Sequence, residues 1–181
     1  MSKIKLKPEL LSQPTLPRQL HGVNPRTIKG KDWWDKVRQE AYKSTNYHCV
    51  ACGIQKSQAK KHQWLEAHEN LTVDYETGLC EVKTIEPLCH YCHNFIHCGR
   101  LSMIEGNEKS TQEVIDILEH GFQVLKKNNL KACNYTTSYA KHIGANTFEI
   151  ESFKVAPWSA SVEFRLLLEG EIYTKESIKK L

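Results

Sequence analysis

Three stretches decide the fold of this chain: Cys49-Val50-Ala51-Cys52-Gly53, Trp64-Leu65-Glu66-Ala67-His68-Glu69 and Leu88-Cys89-His90-Tyr91-Cys92-His93-Asn94-Phe95-Ile96-His97. The first and third each contain a Cys-x2-Cys pair, and two such pairs are a common ligand pattern for one tetrahedral zinc ion. A site closed by four thiolates has no open coordination position for a substrate. We therefore expect a structural zinc ion on Cys49, Cys52, Cys89 and Cys92, and any chemistry on the histidines.

The histidines have a spacing that suits a second metal. His93 and His97 are four residues apart, which places both imidazoles on one side of a helix, and His68 precedes them in a predicted strand. Neutral imidazole binds transition metals, and its pKa near 6.5 also suits proton transfer. Phosphodiester hydrolysis needs both a bound cation and a base. The alternative is that His93 only supports the zinc site and that His97 lies at the surface.

The residues between the cysteine pairs predict a β-hairpin followed by a helix. Residues 63–75 and 79–86 are rich in β-branched and aromatic side chains, and Thr77-Gly78 provides a turn. We expect Pro87 to end the second strand. The helix that carries His93 and His97 then completes a ββα unit.

The flanking segments give weaker patterns. Four prolines in residues 1–28 exclude a continuous helix and predict an extended arm. Residues 31–43 predict an amphipathic helix with Asp32 as its N-cap, whose Trp33 or Trp34 either packs on the zinc module or stacks on bases.

Three elements are predicted in the C-terminal part of the chain. Ser110 to Glu113 form a capping box for a helix that ends near residues 128–129. A hairpin turns at Glu169-Gly170 and is followed by a helical turn at 175–181. Residues 131–157 give no clear pattern.

Charge is distributed unevenly along the chain. The net charge is +4, but residues 1–62 contain thirteen Lys or Arg against four Asp or Glu. Such a segment is either an arm that lies along a phosphate backbone or a solvated flexible tail. In the first case the partner is nucleic acid, and we expect DNA. The residues expected to contact its phosphates are Arg18, Arg26, Lys29, Lys31 and Arg38.

Composition limits the class of protein. With 181 residues, of which 40% are hydrophobic, the chain can bury one modest core. It has no signal-peptide pattern and no run of eighteen apolar residues, so we expect a cytoplasmic protein without a membrane partner. An odd number of cysteines, seven, favours metal binding over disulfides. We expect the three others, Cys80, Cys98 and Cys133, to be small buried hydrophobic residues.

Residues 46–100 resemble the HNH endonuclease family, in the branch whose ββα-metal core is braced by two Cys-x2-Cys pairs. The matching positions are Glu66-Ala67-His68-Glu69 on the strand and Cys92-His93-x3-His97 on the helix. The resemblance implies a metal-dependent endonuclease that hydrolyses DNA. It also implies one divalent metal, such as Mg²⁺ or Mn²⁺, at the scissile phosphate and the departing 3′ oxygen, in addition to the zinc.

This chain differs from the family pattern at two places. Members usually carry His-His or Asp-His on the strand, the first residue binding metal and the second acting as base. With the His-His register, His68 is a ligand and Glu69 the base. With the Asp-His register, which we favour, His68 is the base, and Glu66 or Glu69 fills the ligand position that Ala67 leaves empty. The usual asparagine falls near Thr84 or Ile85, neither of which supplies an amide.

Together these observations predict an α+β fold. Its parts are an extended basic arm (1–28), a zinc-braced HNH-like domain (29–105) with flanking helices, and a small C-terminal α/β extension (106–181). The expected catalytic residues are His68, Glu69, His93 and His97, and the expected ligands of the catalytic metal are Glu66, His93 and His97. The alternative function is a zinc-stabilised module that kept the scaffold, lost hydrolysis and binds nucleic acid or a partner protein.

Overall fold

The computed structural model describes residues 4–13, 16–154 and 162–179. These residues form a mixed α+β structure with six α-helices, six strands and three short 3-10 helices. The helices are α1 (Pro25–Ser44), α2 (His90–Ile96), α3 (Cys98–Ile104), α4 (Thr111–Lys127), α5 (Asn134–His142) and α6 (Lys175–Ile178). The strands are β1 (Glu66–Asp74), β2 (Leu79–Leu88), β3 (Ala132–Cys133), β4 (Ser152–Phe153), β5 (Arg165–Leu168) and β6 (Glu171–Tyr173).

The chain divides into two compact units, each built from three segments. Unit 1 contains Met1–Thr15, Thr45–Glu66 and Pro87–Val155, and unit 2 contains Leu16–Ser44, Ala67–Glu86 and Ala156–Leu181. All four cysteines of the expected zinc site belong to unit 1. The division into 1–28, 29–105 and 106–181 stays a prediction about separately folding parts.

Helix α4 is the central apolar element of unit 1. Its apolar stripe is fully buried, as the helical spacing predicted, and consists of Val114, Ile117, Leu118, Phe122 and Leu125. The helix packs closely on α2, because a methyl group at Gly121 would lie 2.1 Å from the ring of Phe95. Phe95 also meets Phe122 edge to face, with ring centroids 5.2 Å apart. This contact fixes α4 against the helix that carries the histidines.

The predicted capping box of α4 is half present. Ser110 Oγ accepts a hydrogen bond of 3.2 Å from the Glu113 amide, as an N-cap does. The Glu113 carboxylate does not return to the cap. It instead accepts a hydrogen bond of 2.6 Å from Lys109 Nζ and another from Lys61 Nζ, and in both bonds the donor and the acceptor are charged.

The N-terminal segment is not a simple extended arm. Residues Pro8–Ser12 and Arg18–Leu20 form 3-10 helices. In unit 1, Leu10 and Leu11 are buried, and the Lys7 amide donates a 2.8 Å hydrogen bond to the Val50 carbonyl. The prolines prevent a long helix as expected, but the leucines between them supply enough apolar surface to pack. Pro14 and Thr15 lie outside the described residues.

Residues 131–157, which show no clear pattern in the sequence, contain a small α/β element of unit 1. Strands β3 and β4 pair in parallel, and α5 connects them. Two-residue strands are too short for any period to be visible in the sequence. Residues 155–161 are outside the described part of the chain.

The predicted hairpin is present as β1 and β2. Its turn is closed by a 2.9 Å hydrogen bond from the Gly78 amide to the Asp74 carbonyl, and Gly78 has φ of +74°. A Cβ on Gly78 would lie 2.3 Å from the Glu163 carbonyl oxygen, so the turn requires glycine on two grounds. One detail was wrong: β2 continues through Pro87 to Leu88.

Strands β1 and β2 belong to a four-stranded mixed sheet with the order β1-β2-β5-β6. Strand β2 pairs with β5 in parallel, with Cys80 opposite Leu166, and β5 pairs with β6 in antiparallel orientation. The Glu169-Gly170 turn between β5 and β6 was predicted. Helix α6 follows, and residues 180–181 of the expected helical turn are outside the described residues. The core of unit 2 is formed by Leu20, Val23, Cys80, Phe164 and Leu166.

Helix α1 in unit 2 consists of two helical segments that meet at Gly30, and the second corresponds to the helix predicted over residues 31–43. Asn24 caps its first turn by accepting a 2.9 Å hydrogen bond from the Thr27 amide. Gly30, with φ of +83°, interrupts the helix before the stretch in which a helix was predicted. Asp32 is therefore not its N-cap. Tyr42 is buried, whereas Trp33 and Trp34 are half-buried, with ring centroids 6.5 Å apart.

Candidate metal centre

Four cysteines of unit 1 form a compact thiol cluster. Cys49 and Cys52 lie in a turn closed by a 2.8 Å hydrogen bond from the Gly53 amide to the Cys49 carbonyl. Cys89 is the N-cap residue of α2, and Cys92 lies in its first turn. The four sulfurs are all within 4.8 Å of one another, and those of Cys52 and Cys89 are 3.8 Å apart.

This cluster could hold a structural metal ion. Its donors are all sulfur and mostly buried, which suits zinc better than Mg²⁺ or Ca²⁺. Burial raises the pKa of the Cys49 thiol, but its contacts with the other thiols outweigh burial and bring the pKa well below its usual value. The same contacts raise the pKa values of Cys89 and Cys92. A bound cation would remove this competition for protons by holding all four as thiolates.

A histidine that the sequence did not single out also contacts the cluster. His120 Nε2, from α4, lies 3.3 Å from Cys92 Sγ. An imidazole N–H at this distance can donate to a thiolate and reduce its charge. No spacing rule could have found His120, because it is 28 residues from Cys92 and on another helix.

Glu66, the first residue of β1, is held between two histidines of α2. One carboxylate oxygen lies 2.6 Å from His90 Nδ1, and the other lies 2.5 Å from His93 Nδ1. Burial would raise the pKa of Glu66, but these two contacts hold it well below its usual range. Because an ionised carboxylate only accepts hydrogen bonds, both imidazoles donate from Nδ1, and the unprotonated nitrogen of a neutral His93 is then Nε2.

His97 lies beside His93 at the end of the same helix. Their ring centroids are 4.6 Å apart, in an edge-to-face arrangement. Burial, with a smaller contribution from His93, lowers the pKa of His97 to about 4. His97 is therefore neutral at pH 7, the form in which imidazole binds a metal. His68, the third histidine of the predicted site, is buried on β1 in unit 2.

Two predicted roles on β1 do not fit this geometry. Glu66 uses both oxygens to hold His90 and His93, so it orients imidazoles and does not fill an empty ligand position. Glu69 follows His68 directly in a continuous strand, and successive side chains of a strand point to opposite faces. Glu69 is thus a poor candidate for the base, whereas Glu66 and His68 share a face.

The position expected for the family asparagine is part of another network. Thr84 Oγ1 donates a 2.6 Å hydrogen bond to the Glu86 carboxylate and accepts one of 3.3 Å from the Asn70 side chain. Neither Thr84 nor Ile85 carries an amide side chain. Asn70 supplies the amide of this network, from β1 instead of β2.

A line of polar and aromatic side chains extends from Glu66 toward the surface of unit 1. Lys109 Nζ lies 3.1 Å from His90 Nε2, and the His62 ring meets the His90 ring at 4.8 Å, edge to face. His62 also stacks on Trp64, with centroids 4.0 Å apart and planes 9° from parallel. This pair could not be predicted from the sequence, because hydrophobic periodicity is informative only within regular helices and strands.

The five predicted phosphate contacts have different environments in unit 2. Arg18 and Arg26 are exposed. Lys29 pairs with Glu169 at 3.1 Å, and Lys31 and Arg38 both pair with Asp35. Hydrogen bonds from Lys31, and then from Arg38, lower the pKa of Asp35 to about 2. Carboxylates of the chain therefore partly neutralise three of the five cations.

No family model, curated protein or solved structure matches this chain. Within the described residues, no helix is long and apolar enough to cross a bilayer.

Proposed function

We propose that this chain is a metal-dependent HNH-type endonuclease that hydrolyses DNA phosphodiester bonds. The observation that carries the proposal is the position of His93, with Glu66 on its Nδ1 and His97 beside it, directly after the thiol cluster on the same helix. A carboxylate behind an imidazole is the usual support of a metal-binding histidine. The closed thiol cluster would provide rigidity, and the imidazoles would provide the reactive site.

The side chains would divide the work as follows. His93 and His97 would hold a divalent cation through neutral nitrogens, and Glu66 would fix the ring orientation of His93. His68 would be the third ligand, since it lies two residues from Glu66 on the same face of β1. A cation bound there would neutralise charge on the scissile phosphate and lower the pKa of an attacking water. This assignment corresponds to the His-His register, in which His68 is a metal ligand. The sequence analysis favoured the Asp-His register, in which His68 is the base.

Glu66 has a further effect on the ligand strength of His93. Its low pKa keeps it ionised at neutral pH, so it draws the Nδ1 proton of His93 and makes Nε2 a stronger donor to a metal. His90 binds the other oxygen of Glu66 and prevents it from rotating toward the metal. Glu66, held by His90, would thus keep a negative charge close to the cation without occupying a coordination position.

The direct test is plasmid cleavage with Mg²⁺, Mn²⁺, Ni²⁺ or Zn²⁺ in turn, comparing the wild type with His93→Ala. We expect cleavage by the wild type and loss of cleavage in His93→Ala, because that substitution removes a ligand but none of the four thiols. Zinc content, measured by a chromogenic chelator, should remain the same in both proteins.

The matched control is His142→Ala, which removes an exposed histidine of unit 1 at the end of α5. It should cleave like the wild type. Equal cleavage by His93→Ala and the wild type would overturn the assignment of the site.

A second candidate function is a module that binds nucleic acid without cleaving it. The observation in its favour is the direction of Glu69, which leaves β1 with one imidazole and no second group for the base. This candidate predicts salt-sensitive binding and no turnover with any of the four metals. Metal-dependent cleavage that disappears in His93→Ala would exclude it.

A further inference from the structure

The segment before β1 presents an aromatic pair at the surface of unit 1. Trp64 is 54% exposed, and its ring stacks in parallel on His62. The next residue, Leu65, is buried, and the one after it is Glu66. An exposed tryptophan costs solvation free energy unless something covers it. Here the ring is also fixed in orientation, since one face rests on an imidazole.

His62 supports the indole as a neutral ring. Burial lowers the pKa of His62, with a further contribution from His90. Its edge contact with His90 connects the pair to the Glu66 carboxylate, and through it to His93. Three successive contacts therefore connect His62 to the proposed metal ligand His93: His62 with His90, His90 with Glu66, and Glu66 with His93.

Cations flank the pair in the same turn. Lys61 has φ of +68°, an unusual conformation for a residue with a side chain, and the His62 amide bonds to the Lys60 carbonyl at 2.9 Å. Lys60 is exposed, and its ammonium lies 5.6 Å from the centre of the Tyr91 ring. An aromatic face with adjacent lysines is the combination that single-stranded nucleic acids bind.

We propose that Trp64 and His62 form a stacking platform for one unpaired nucleobase of single-stranded or locally opened nucleic acid, with Lys60 beside its phosphate. In an intact duplex both faces of each base are covered by its neighbours, so only an unstacked base can use the platform. The inference rests on the proposed function, because it gives that site a preference for nucleic acid with exposed bases next to the bond that is cut.

The test measures binding apart from cleavage, in the full chain carrying His93→Ala. Fluorescence anisotropy would compare a labelled oligo-thymidylate with a duplex of the same length. We expect the single strand to bind more tightly than the duplex. Adding Trp64→Ala should weaken single-strand binding by about 5- to 150-fold, the range for loss of one stacked base, and should change duplex binding much less.

Two further variants separate stacking from general damage. Trp64→Phe keeps a ring and should restore part of the affinity. Met103→Ala removes another exposed apolar side chain of unit 1, one that is 78% exposed on α3, and should bind as its parent does. If Trp64→Ala binds the single strand as tightly as Met103→Ala does, the proposal of a stacking platform is wrong. The same conclusion follows if none of these proteins binds the single strand.

Failure of the platform and failure of the proposed function give different results. Cleavage that requires His93, together with single-strand binding that ignores Trp64, overturns only the platform. Binding that requires Trp64, without cleavage by the wild type under any metal, overturns the nuclease and leaves the platform as the site of a binding module.

Discussion

At the scale of single residues, His68 is the side chain whose role decides the chemistry. It is 4% exposed and shares a strand face with Glu66. As a ligand it would be needed for metal affinity, whereas as a base it would be needed only for turnover. The two roles can therefore be separated by a binding measurement.

We predict that His68→Gln lowers the affinity of the zinc-loaded protein for Ni²⁺ by at least about 10-fold. Loss of a residue that only hydrogen-bonds to a metal ligand already lowers metal affinity by about 10- to 100-fold, and loss of a ligand should lower it at least as much. Isothermal titration calorimetry would measure the affinity, and circular dichroism would verify the fold. His142→Ala is the control. Unchanged Ni²⁺ affinity with lost cleavage would return His68 to the role of base.

At the scale of elements, the contact between α2 and α4 positions the histidines. Phe95 lies on the same helix as His93 and is held by the close approach of Gly121. Two glycines in helices of unit 1, Gly121 and Gly99, are therefore expected to respond in opposite ways to substitution by alanine. Gly121 has no space for it, while nothing lies within 4 Å of the position at Gly99 in α3.

We predict that Gly121→Ala destabilises the protein by about 1–3 kcal/mol, since overpacking against the Phe95 ring outweighs the gain in helix propensity. Gly99→Ala should be neutral or stabilise by up to about 1 kcal/mol. Urea unfolding followed by circular dichroism measures both. A Gly121→Ala protein as stable as Gly99→Ala would contradict the described packing of α4 on α2.

At the scale of the whole molecule, the thiol cluster joins parts of the chain that are distant in sequence. Residues 49–52 and 89–92 meet there, and both belong to unit 1. In an unfolded chain these segments are separated by a long loop, so a shared metal ion stabilises unit 1 by more than its local contacts do.

We predict that Cys92→Ser loses the bound zinc and that amide hydrogen exchange then rises in α2 and α4. Cys133→Ser, which changes a buried thiol of unit 1 outside the cluster, should retain one zinc ion per chain. Protection of β5 and β6 in unit 2 serves as the internal reference. A Cys92→Ser protein with full zinc content and unchanged protection would show that the cluster is not a structural metal site.

The sequence by itself determined the features that depend on short spacing. The two Cys-x2-Cys pairs predicted the thiol cluster, the period of Val114 to Leu125 predicted the buried stripe of α4, and Thr77-Gly78 predicted the hairpin turn. Each of these rests on neighbours a few residues apart, whose relative positions follow from helix or strand geometry. The resemblance to the HNH family and the endonuclease function remain proposals.

Only the tertiary structure decided which partners distant residues have. Glu66 was expected to bind metal, but it holds His90 and His93, which lie 24 and 27 positions further along the chain. His120 contacts Cys92 from another helix, and His62 stacks on Trp64 in a segment that has no hydrophobic periodicity. These contacts depend on where loops close and helices cross, which spacing along one element cannot specify.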